Sequence, residues 1–531
     1  MAGDLGQEID QSKIDLFEGM DIGWLLNEWA VRAPDKDFMI WEPFEGPSES
    51  WSYLRFQNES KRVAHSLSER GVKAGDFVII HLENSPEFML SWFACAQLGA
   101  VAVSTNTHCV ARDMQYFYEH TQAVCAITQP SYASMIQSAC HDIEFIAVTD
   151  NNAGETALIE ADIQAIAFAD LLLGDELLLP TRTADSMANL SIQFTSGTTS
   201  RPKAVLWTHA NALWGAKISA SHMRLRHEDR TLIYMPMFHT NALTYSMLPT
   251  LWAGATFVLQ PKFSASRFWP ISLKYQLTWA SMIPFAIEAI FSQANPGHNY
   301  RFWGMVANVP IVTEMFNLKM IGWWGMTETL TQGIVTDVDH PGPSETIGRV
   351  APEYEIQIRK EDGTQAQPGE RGLLFIRGVR GVSLFKEYYR NEAANKSAFD
   401  ENGWFETGDI IRVDDSGYLF FSDRDKDMLK VGAENVAASE IEIVVMETGL
   451  VNECAVVAQK HYMLDEVPVV FVIPNAQAPS NIVETILQHC VVNLASFKVP
   501  KAVHLVDELP RSTLEKVAKN ELRKRLPAIT K

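Results

Sequence analysis

The sequence predicts an α/β protein: a large N-terminal α/β region with mixed, mainly parallel sheets, followed by a small α+β C-terminal domain. Short apolar runs alternate with amphipathic segments over the first half of the chain, as in layered architectures built around parallel sheets. The chain has 531 residues, too many for one hydrophobic core. The last stretch of about 100 residues has its own pattern of strands and helices, and the size of an independent module.

The N-terminal third of the chain supplies the alternation. Apolar residues with helical spacing predict helices at 24–32 and 56–67 and from a Ser85 cap to Leu98. Apolar and β-branched runs predict strands at 38–41, 51–53, 77–81, 101–104, 124–128 and 145–149, and residues 114–118 continue the alternation. Residues 151–180 are acidic and poorly patterned, so we interpret them as a connecting region.

The later segments alternate less regularly. Strands at 190–194 and 205–207 flank a hydroxyl-rich loop, a helix follows at 211–223, and residues 254–269 predict a strand, a turn and the start of a helix. Residues 439–442, Ser-Glu-Ile-Glu, predict a capping box that opens a helix ending before Gly449. Strands at 454–459 and 467–473 and a helix at 482–494 complete the small domain.

Composition limits the classes of function. The chain is 47% hydrophobic and 21% charged, and its formal net charge of -21 argues against nucleic-acid binding. Any anionic ligand must therefore be met by local Lys and Arg side chains. The six cysteines form no CxxC pair, and the N-terminus lacks the apolar core of a signal peptide, so we expect a reduced, cytoplasmic chain. No apolar run of the sequence is long enough to span a bilayer.

The loop at 195–200 is the strongest single indication of chemistry. Five of its six residues carry hydroxyls, and the sixth is Gly197. A backbone that turns at a glycine directs several N–H groups to one point, and Lys203 adds a positive charge, which together suit a polyphosphate. The common NTPase loop is a different motif, because it needs a glycine where Pro202 stands. By composition alone, the same residues are also typical of a polar turn.

Three further segments carry candidate side chains, and each is ambiguous when taken alone. Residues 323–328, Trp-Trp-Gly-Met-Thr-Glu, combine an aromatic face that can stack on a purine with a carboxylate that can hold Mg²⁺, or they are a buried Trp pair beside a chance Glu. Residues 403–409 end in Thr-Gly-Asp, which is common in turns, although Asp409 can accept hydrogen bonds from a ribose. His239 follows an apolar strand, where histidine is more often a structural cap than a catalyst.

Taken in order, these segments resemble the motifs of the adenylate-forming (ANL) superfamily, which contains acyl-CoA synthetases, luciferases and the adenylation domains of peptide synthetases. The loop matches Thr-Ser-Gly-Thr-Thr-x-x-Pro-Lys, and residues 510–516 occupy the place of the family's Pro-Arg-x-x-x-Gly-Lys motif. Residues 254–269 resemble the crotonobetaine/carnitine-CoA ligase branch of the family. Four ordered motifs are far more specific than any one of them.

The chain departs from the family pattern where Ser200, Ala204 and Glu515 replace glycines and Trp324 replaces a tyrosine. Serine at position 200 removes backbone freedom, which predicts slower nucleotide handling. Tryptophan keeps the stacking plane but lacks the phenol oxygen. The carboxylate of Glu515 is expected to offset part of the charge of the neighbouring Lys516.

The resemblance implies an AMP- and acyl-binding domain at 1–425 and a mobile lid domain at 426–531, with Lys426 at the hinge. It implies an ATP-dependent carboxylate-CoA ligase that works in two steps. A carboxylate attacks the α-phosphate of ATP to give an acyl-adenylate and pyrophosphate, and the thiol of CoA then displaces AMP. The implied substrates are ATP, CoA and a small to medium organic acid, with a carnitine-like acid as one option, and the implied metal is Mg²⁺.

The resemblance also implies roles for the matching residues. On the nucleotide side, the phosphates would be bound by the hydroxyl-rich loop and its lysine: Thr195, Ser196, Gly197, Thr198, Thr199 and Lys203. Glu328 would hold Mg²⁺ with Thr327 beside it, while Trp324 would stack on the adenine. Asp409 and Arg424 would bind the ribose region.

Three residues have implied roles in the acyl and CoA steps. Lys516 would stabilise the charge that develops at the α-phosphate, and His239 would border and gate the acyl pocket. Gly432 would line the CoA channel after the lid has turned. The expected catalysis is positioning and charge stabilisation, without a protein nucleophile.

Three alternatives stay open at this point: a luciferase-like oxidation of the adenylate, adenylation for a separate carrier protein, and a non-catalytic nucleotide or acyl sensor. The lost glycines favour the sensor, and the retained Lys203, Glu328, Asp409 and Lys516 argue against it. The expected partners are small molecules, without nucleic acid or a membrane span, and the oligomeric state is left open, a homo-oligomer included.

Overall fold

The α/β prediction is confirmed. The computed structural model describes residues 16–195, 202–360, 362–424, 428–432, 434–510 and 517–529. Two large mixed sheets with parallel centres form the first part of the chain, and two smaller sheets follow in sequence. Within the described ranges, no helix combines the length and apolar character needed to cross a membrane.

The strands of the described ranges are, in chain order, β1 (Asp37–Trp41), β2 (Glu49–Ser52), β3 (Phe77–His81), β4 (Val101–Ser104), β5 (Cys125–Thr128), β6 (Phe145–Val148), β7 (Asn151–Asn152), β8 (Glu155–Thr156), β9 (Ile166–Ala167), β10 (Asn189–Thr195), β11 (Lys203–Thr208), β12 (Arg230–Ile233), β13 (Thr256–Leu259), β14 (Trp279–Ser281), β15 (Phe302–Met305), β16 (Lys319–Trp324), β17 (Ile334–Val335), β18 (Arg349–Val350), β19 (Glu355–Arg359), β20 (Arg371–Arg377), β21 (Glu387–Tyr388), β22 (Phe405–Val413), β23 (Leu419–Arg424), β24 (Met428–Val431), β25 (Glu434–Ala437), β26 (Val451–His461), β27 (Asp465–Pro474) and β28 (Ala502–Leu505).

The helices of the same ranges are α1 (Ile22–Arg32), α2 (Tyr53–Glu69), α3 (Pro86–Leu98), α4 (Ala111–Thr121), α5 (Pro130–Ala139), α6 (Phe168–Leu171), α7 (His209–His222), α8 (Thr240–Ala242), α9 (Leu248–Trp252), α10 (Ala265–Lys274), α11 (Pro284–Ile290), α12 (Pro310–Phe316), α13 (Glu392–Ala398), α14 (Ala438–Met446), α15 (Ile482–Asn493) and α16 (Lys519–Lys524). A π-helical turn, Leu243–Met247, joins α8 to α9.

The first large sheet has the strand order β18-β17-β16-β15-β14-β12-β13-β1-β2. Its central strands, from β16 to β1, pair in parallel, so their carboxyl ends meet at one edge. The N-terminal hairpin completes this sheet, because β1 pairs with β13 and places Met39 opposite Phe257. Segments distant in sequence are therefore neighbours in one layer.

The second large sheet has the order β21-β11-β10-β4-β3-β5-β6-β9. Strands β10 and β11 form an antiparallel hairpin, while β10, β4, β3, β5, β6 and β9 are parallel neighbours. Strand β21 arrives from much later in the chain and pairs with β11, placing Tyr388 opposite Val205. One continuous hydrophobic core contains buried side chains from both large sheets and from helices α2, α3 and α7.

The predicted ends of helix α3 are confirmed in atomic detail. The side chain of Ser85 accepts a hydrogen bond from the backbone N–H of Phe88, and Pro86 occupies the first turn. Gly99 ends the helix with a φ of +83°, the left-handed conformation that glycine adopts without a Cβ penalty.

The later part of the chain forms two smaller sheets. Strands β19, β20, β22 and β23 make an antiparallel sheet, and β25, β24, β27, β26 and β28 make a separate mixed sheet covered by α14 and α15. The expected strands at 454–459 and 467–473 and the helix at 482–494 lie within β26, β27 and α15. The predicted boundary at 425/426 falls between these sheets but outside the described residues, so it stays a prediction.

Two local predictions are wrong. The capping box at 439–442 is absent among the described contacts: α14 begins at Ala438, and its N-cap Ala437 makes no side-chain hydrogen bond. Glu440 instead pairs with Lys498 and Glu442 with Lys519, so tertiary contacts occupy these carboxylates.

Residues 151–180 are also more than a connection, because they contain the β7–β8 hairpin, α6 and the sheet-edge strand β9. Strands of two residues are too short to show a periodic pattern.

Candidate active site

The hydroxyl-rich loop lies at the carboxyl end of β10, as the strand–loop–strand prediction requires. Thr195 pairs with Lys203 at the loop end of the β10–β11 hairpin. Phe194 stacks on Phe117 of α4 with 4.1 Å between ring centroids, and Tyr116 donates to the backbone oxygen of Pro202 at 3.0 Å. Helix α4 therefore supports both ends of the loop. The predicted phosphate-binding residues Ser196, Gly197, Thr198 and Thr199 lie outside the described residues.

Tyr388 links Lys203 to Glu328. The Tyr388 hydroxyl donates to Glu328 Oε1 at 2.8 Å, and Lys203 Nζ lies 4.6 Å from the centroid of the same ring. Glu328 is 4% exposed, so its carboxylate is almost fully withdrawn from bulk water. Burial raises the pKa of Tyr388 well above its ordinary value, and the charge of Glu328 raises it further, so the phenol stays a proton donor. The Tyr388 side chain therefore contacts both the Lys203 ammonium and the Glu328 carboxylate.

Sequence reasoning missed Tyr388. Its local sequence, Phe-Lys-Glu-Tyr-Tyr, contains no motif, and β21 is two residues long. The side chain reaches Glu328 because β21 pairs with β11, which carries Lys203 at its start. A long-range strand pairing thus creates the contact.

Thr327 belongs to a chain of hydrogen bonds that starts in β10. The Thr240 hydroxyl lies 3.1 Å from Thr327 Oγ1 and donates to Gln193 Oε1 at 3.1 Å. Because Thr240 has one proton and gives it to Gln193, the proton between the two threonines comes from Thr327. The indole N–H of Trp207 also donates to the backbone oxygen of Thr327 at 2.9 Å. Helix α8 and strands β10 and β11 of the second large sheet therefore hold Thr327 in place.

Trp324 and Asp409 are in direct contact. The indole N–H of Trp324 donates to Asp409 Oδ2 at 2.8 Å, and the two residues are 5% and 3% exposed. The backbone N–H of Asp409 in turn donates to Thr407 Oγ1 at 3.1 Å. The tryptophan at this position thus anchors the carboxylate through its ring edge. Strand register places Arg424 opposite Asp409 in the β22–β23 pair.

His239 joins the N-terminal part of the chain to the small C-terminal sheet. Its Nε2 lies 2.8 Å from Glu434 Oε1, and Asn106 Nδ2 donates to the same oxygen at 3.1 Å. Burial lowers the pKa of His239, but the charge and hydrogen bond of Glu434 outweigh it, so that pKa is raised. Burial raises the pKa of Glu434, but the charge of His239 outweighs it, so that pKa is lowered. The pair is therefore ionic.

Gly432 and Glu434 lie in the turn between β24 and β25, where Val431 pairs with Glu434. Gly432 has a φ of +63°, which by itself favours glycine. A Cβ atom at this position would meet Leu464 Cδ2 at 3.7 Å, an ordinary contact. Glu434 was missed by sequence reasoning because a single Glu in a turn carries no signal.

A second contact between these two parts of the chain is a bidentate ion pair. The guanidinium nitrogens of Arg112 in α4 donate to the two carboxylate oxygens of Glu447, just after α14, at 2.5 and 2.7 Å. The side chains are 47% and 39% exposed, so water screens the pair. Predicted Lys516 and the predicted hinge residue Lys426 lie outside the described residues.

One buried carboxylate beside the hydroxyl-rich loop fits a magnesium ion that takes its other ligands from phosphates and water. Glu328 supplies that carboxylate. In the described part of the chain, no group of three or more His, Cys, Asp and Glu side chains could hold a metal by itself. A metal at this place would therefore bind together with the nucleotide.

The chain belongs to the AMP-binding enzyme family and is an AMP-forming acyl-CoA synthetase of the ANL superfamily. The model of the AMP-binding enzyme family matches residues 26–389, and that of the AMP-binding enzyme C-terminal domain matches residues 440–516. The chain is 32% identical to the crotonobetaine/carnitine-CoA ligase of Salmonella paratyphi A over 529 residues, covering 96% of this chain and 100% of that protein. The same ligase of Salmonella typhi gives the same identity and coverage.

Solved structures share the fold. The fatty acyl CoA synthetase of Mycobacterium tuberculosis is 26% identical, with a TM-score of 0.66 over 95% of this chain and 98% of that chain. A double mutant of the o-succinylbenzoate CoA synthetase of Bacillus subtilis, bound with a product analogue, is 24% identical, with a TM-score of 0.82 over 95% and 99%. The same Bacillus enzyme in complex with AMP gives a TM-score of 0.67 over 95% and 99%.

Proposed function

We propose that this acyl-CoA synthetase activates a small to medium organic acid with ATP, forms an acyl-adenylate and transfers the acyl group to CoA, releasing AMP and pyrophosphate. The observation that carries the proposal is the bridge formed by Tyr388 between Lys203 and Glu328. It holds a cation and a buried carboxylate where the hydroxyl-rich loop begins. Such a pair suits a polyphosphate with its divalent ion.

The chemistry needs no protein nucleophile. A thiol attacks a carboxylate poorly because oxide is a poor leaving group, whereas AMP leaves readily from an acyl-adenylate. The protein's contribution is to hold the acid in line with the α-phosphate and to stabilise the charge that develops there. Lys203 and the loop are proposed to serve the β- and γ-phosphates, with Thr327 next to Glu328 in the sequence.

Glu328 is the residue proposed to hold Mg²⁺, which when bound neutralises charge on the phosphates of ATP. Tyr388 holds the Glu328 carboxylate in place through a hydrogen bond to Oε1. On the nucleoside side, Trp324 fixes Asp409, which is proposed to accept from the ribose hydroxyls, with Arg424 nearby in register.

The two half-reactions are proposed to alternate through rotation of residues 426–531 about Lys426. In the arrangement described here, His239 contacts Glu434, so the turn that contains Gly432 lies near the residue proposed to border the acyl pocket. The higher TM-score with the product-analogue complex than with the AMP complex of the same Bacillus enzyme supports the view that this is the transfer arrangement. Lys516 would act in the other arrangement.

The acceptor is proposed to be CoA, with a carrier-protein thiol as the competing acceptor. A carnitine-like acid enters as a candidate through the Salmonella ligases that are 32% identical. A cytoplasmic setting is part of the same proposal, and the six cysteines, all of them in described residues, are free thiols.

Pyrophosphate exchange with a panel of carboxylic acids tests the function, because it requires adenylation and reveals the acid at the same time. The expected product of the full reaction is AMP, and ADP as product would contradict the proposal. Two variants separate the steps. Lys516→Ala should lose exchange but still convert a supplied acyl-adenylate to the thioester, while Gly432→Leu should keep exchange and lose transfer. Equal loss of both steps in both variants would contradict the rotation.

A further inference from the structure

Asn241 and Ser281 form a polar pair at the carboxyl edge of the nine-stranded sheet. The Ser281 hydroxyl, at the end of β14, donates to Asn241 Oδ1 at 2.6 Å. Ser281 is 1% exposed, whereas Asn241 is partly exposed. Residues 242–250, which follow Asn241, are all buried. Asn241 is thus the last accessible side chain before the chain enters the core.

The pair lies within the site already described. Asn241 directly follows His239 and Thr240, which contact Glu434 and Thr327 respectively. Its backbone oxygen accepts from the Ser246 hydroxyl at 3.1 Å across the π-helical turn. A π-turn inside a helix commonly accompanies a functional site. The backbone of Asn241 is therefore fixed next to the residues proposed to hold the acyl-adenylate.

The hydrogen bond from Ser281 decides which end of the amide is available. Asn241 has one acceptor oxygen and two N–H donors. Because the oxygen receives the Ser281 proton, the N–H₂ end is directed away from β14. Within the described ranges, the side chain of Asn241 accepts the hydrogen bond from Ser281, and its Nδ2 donates to no protein group. A partly exposed, oriented donor remains two residues after His239, which is proposed to border the acyl pocket.

We propose that Asn241 donates a hydrogen bond to an oxygen on the tail of the acid substrate, and that Ser281 is the positioning residue that aims this donor. The enzyme would therefore select acids that carry a second oxygen function, such as an oxo or hydroxy group, over the plain alkyl acid of the same length. The inference rests on the proposed function and adds to it the chemical class of the substrate.

The same geometry disfavours a quaternary ammonium tail. An ammonium with four alkyl groups accepts no hydrogen bond and meets the positive end of the amide dipole. The carboxylates of the cleft are also engaged: Glu328 by Tyr388, Glu434 by His239 and Asp409 by Trp324. A cationic tail would have to share one of these carboxylates or bind an aromatic face instead.

The test is the specificity ratio of pyrophosphate exchange, measured on the full-length enzyme. The probes are alkanoic acids, oxo acids with the carbonyl at successive carbons, and 4-(trimethylammonio)butanoate. At least one oxo acid should exceed its alkyl parent about tenfold or more in kcat/KM. Asn241→Leu, of similar size, should abolish that ratio and leave the alkyl acid unchanged or improved.

Two more variants separate binding from folding. Ser281→Ala keeps the amide but frees it to rotate, so the ratio should shrink while the alkyl acid keeps its rate, which a merely structural loss would not do. Asn241→Asp replaces the donor with a carboxylate and should shift preference toward the trimethylammonium acid. If Asn241→Leu does not fold, the inference is still tested by the specificity of the wild-type enzyme over the acid panel and by the specificity of Asn241→Asp.

The outcomes distinguish the two proposals. If no acid supports exchange in the wild type, the proposed function fails. If exchange occurs but the plain alkyl acids or the trimethylammonium acid are preferred, the Asn241 inference fails and the ligase function stands. If the ratio of oxo acid to alkyl acid is unchanged in Asn241→Leu, the Asn241 inference also fails and the ligase function stands.

Discussion

The phosphate side of the cleft and the contact between the two parts of the chain are held by different kinds of interaction. On the proposed phosphate side, Tyr388 donates to the buried Glu328 carboxylate, and Thr327 forms a hydrogen bond with Thr240. Across the contact, His239–Glu434 and Arg112–Glu447 are ion pairs, and the second is well exposed. Buried hydrogen bonds preorganise a site, whereas exposed ion pairs form and break easily. The difference suits the proposed adenylation site beneath a lid domain that is proposed to rotate.

The largest expected effect is at the buried carboxylate. Glu328→Gln keeps the shape but removes the charge, so the rate of pyrophosphate exchange should fall about 100- to 1000-fold, as when other preorganised electrostatic groups are removed. The Mg²⁺ concentration needed for half-maximal exchange should rise. Glu314→Gln, at an exposed position on α12, is the control. An unchanged Mg²⁺ titration in Glu328→Gln would exclude the proposed role.

A smaller effect is expected at the bridge. Tyr388→Phe keeps the ring beside Lys203 but removes the hydroxyl that bonds to Glu328, which should slow adenylation about tenfold, the value of one hydrogen bond to a charged group. Transfer from a supplied acyl-adenylate should be unaffected. The neighbouring Tyr389→Phe provides a matched control, and equal rates in the two variants would show that the bridge is structural only.

The His239–Glu434 pair predicts a pH dependence of the contact. His239 has a raised pKa, so its contribution is complete below the ordinary histidine value and is lost as the pH rises through the raised pKa. Glu434 has a lowered pKa, so its contribution is present above the ordinary value and is lost as the pH falls through the lowered one. The contact should be strongest between these two pKa values.

Glu434→Gln provides the measurement. Without the carboxylate charge, burial dominates and the pKa of His239, followed by NMR, should fall, and transfer should weaken by less than Tyr388→Phe weakens adenylation. The exposed His504 serves as the internal reference. A His239 pKa that does not move would mean that the contact seen here is absent in solution.

The smallest effect is expected at the exposed pair. Arg112→Glu and Glu447→Arg should each reduce thioester formation about two- to fivefold at low salt, the range for exposed ion pairs, and leave pyrophosphate exchange intact. The double charge swap should restore transfer, and added salt should remove the difference. Loss of transfer in the double swap as well would show that the two residues act separately.

The sequence predicts one side of this comparison better than the other. Lys203, Thr327, Glu328, Trp324 and Asp409 belong to local motifs, so their identity is readable from the chain. Most of the longer strands and helices of the N-terminal third are also readable from periodicity. Tyr388 and Glu434 come from long-range pairing of β21 with β11 and from the packing of two parts of the chain. Contacts of this kind depend on tertiary structure and leave no local pattern.

Trp324 shows the same limit within a motif. Its stacking role remains a prediction, whereas its hydrogen bond to Asp409 depends on β16 and β22 meeting in space. A tryptophan where the family has a tyrosine therefore replaces a hydroxyl with an indole N–H, and the two donors lie at different positions on their side chains. The sequence shows that tryptophan stands at position 324, but it does not show that Asp409 is its hydrogen-bond partner.

The pairings of β1 with β13 and of β21 with β11 also bear on how the chain is made. During synthesis, the β1–β2 hairpin has no further strand to pair with until β13, which ends at residue 259, has left the ribosome. The β11 edge of the second sheet stays open until β21, which ends at residue 388, follows. Such long-range pairing slows folding and leaves strand edges exposed to other chains. Nascent chains of this protein should therefore depend on chaperones until β21 has docked.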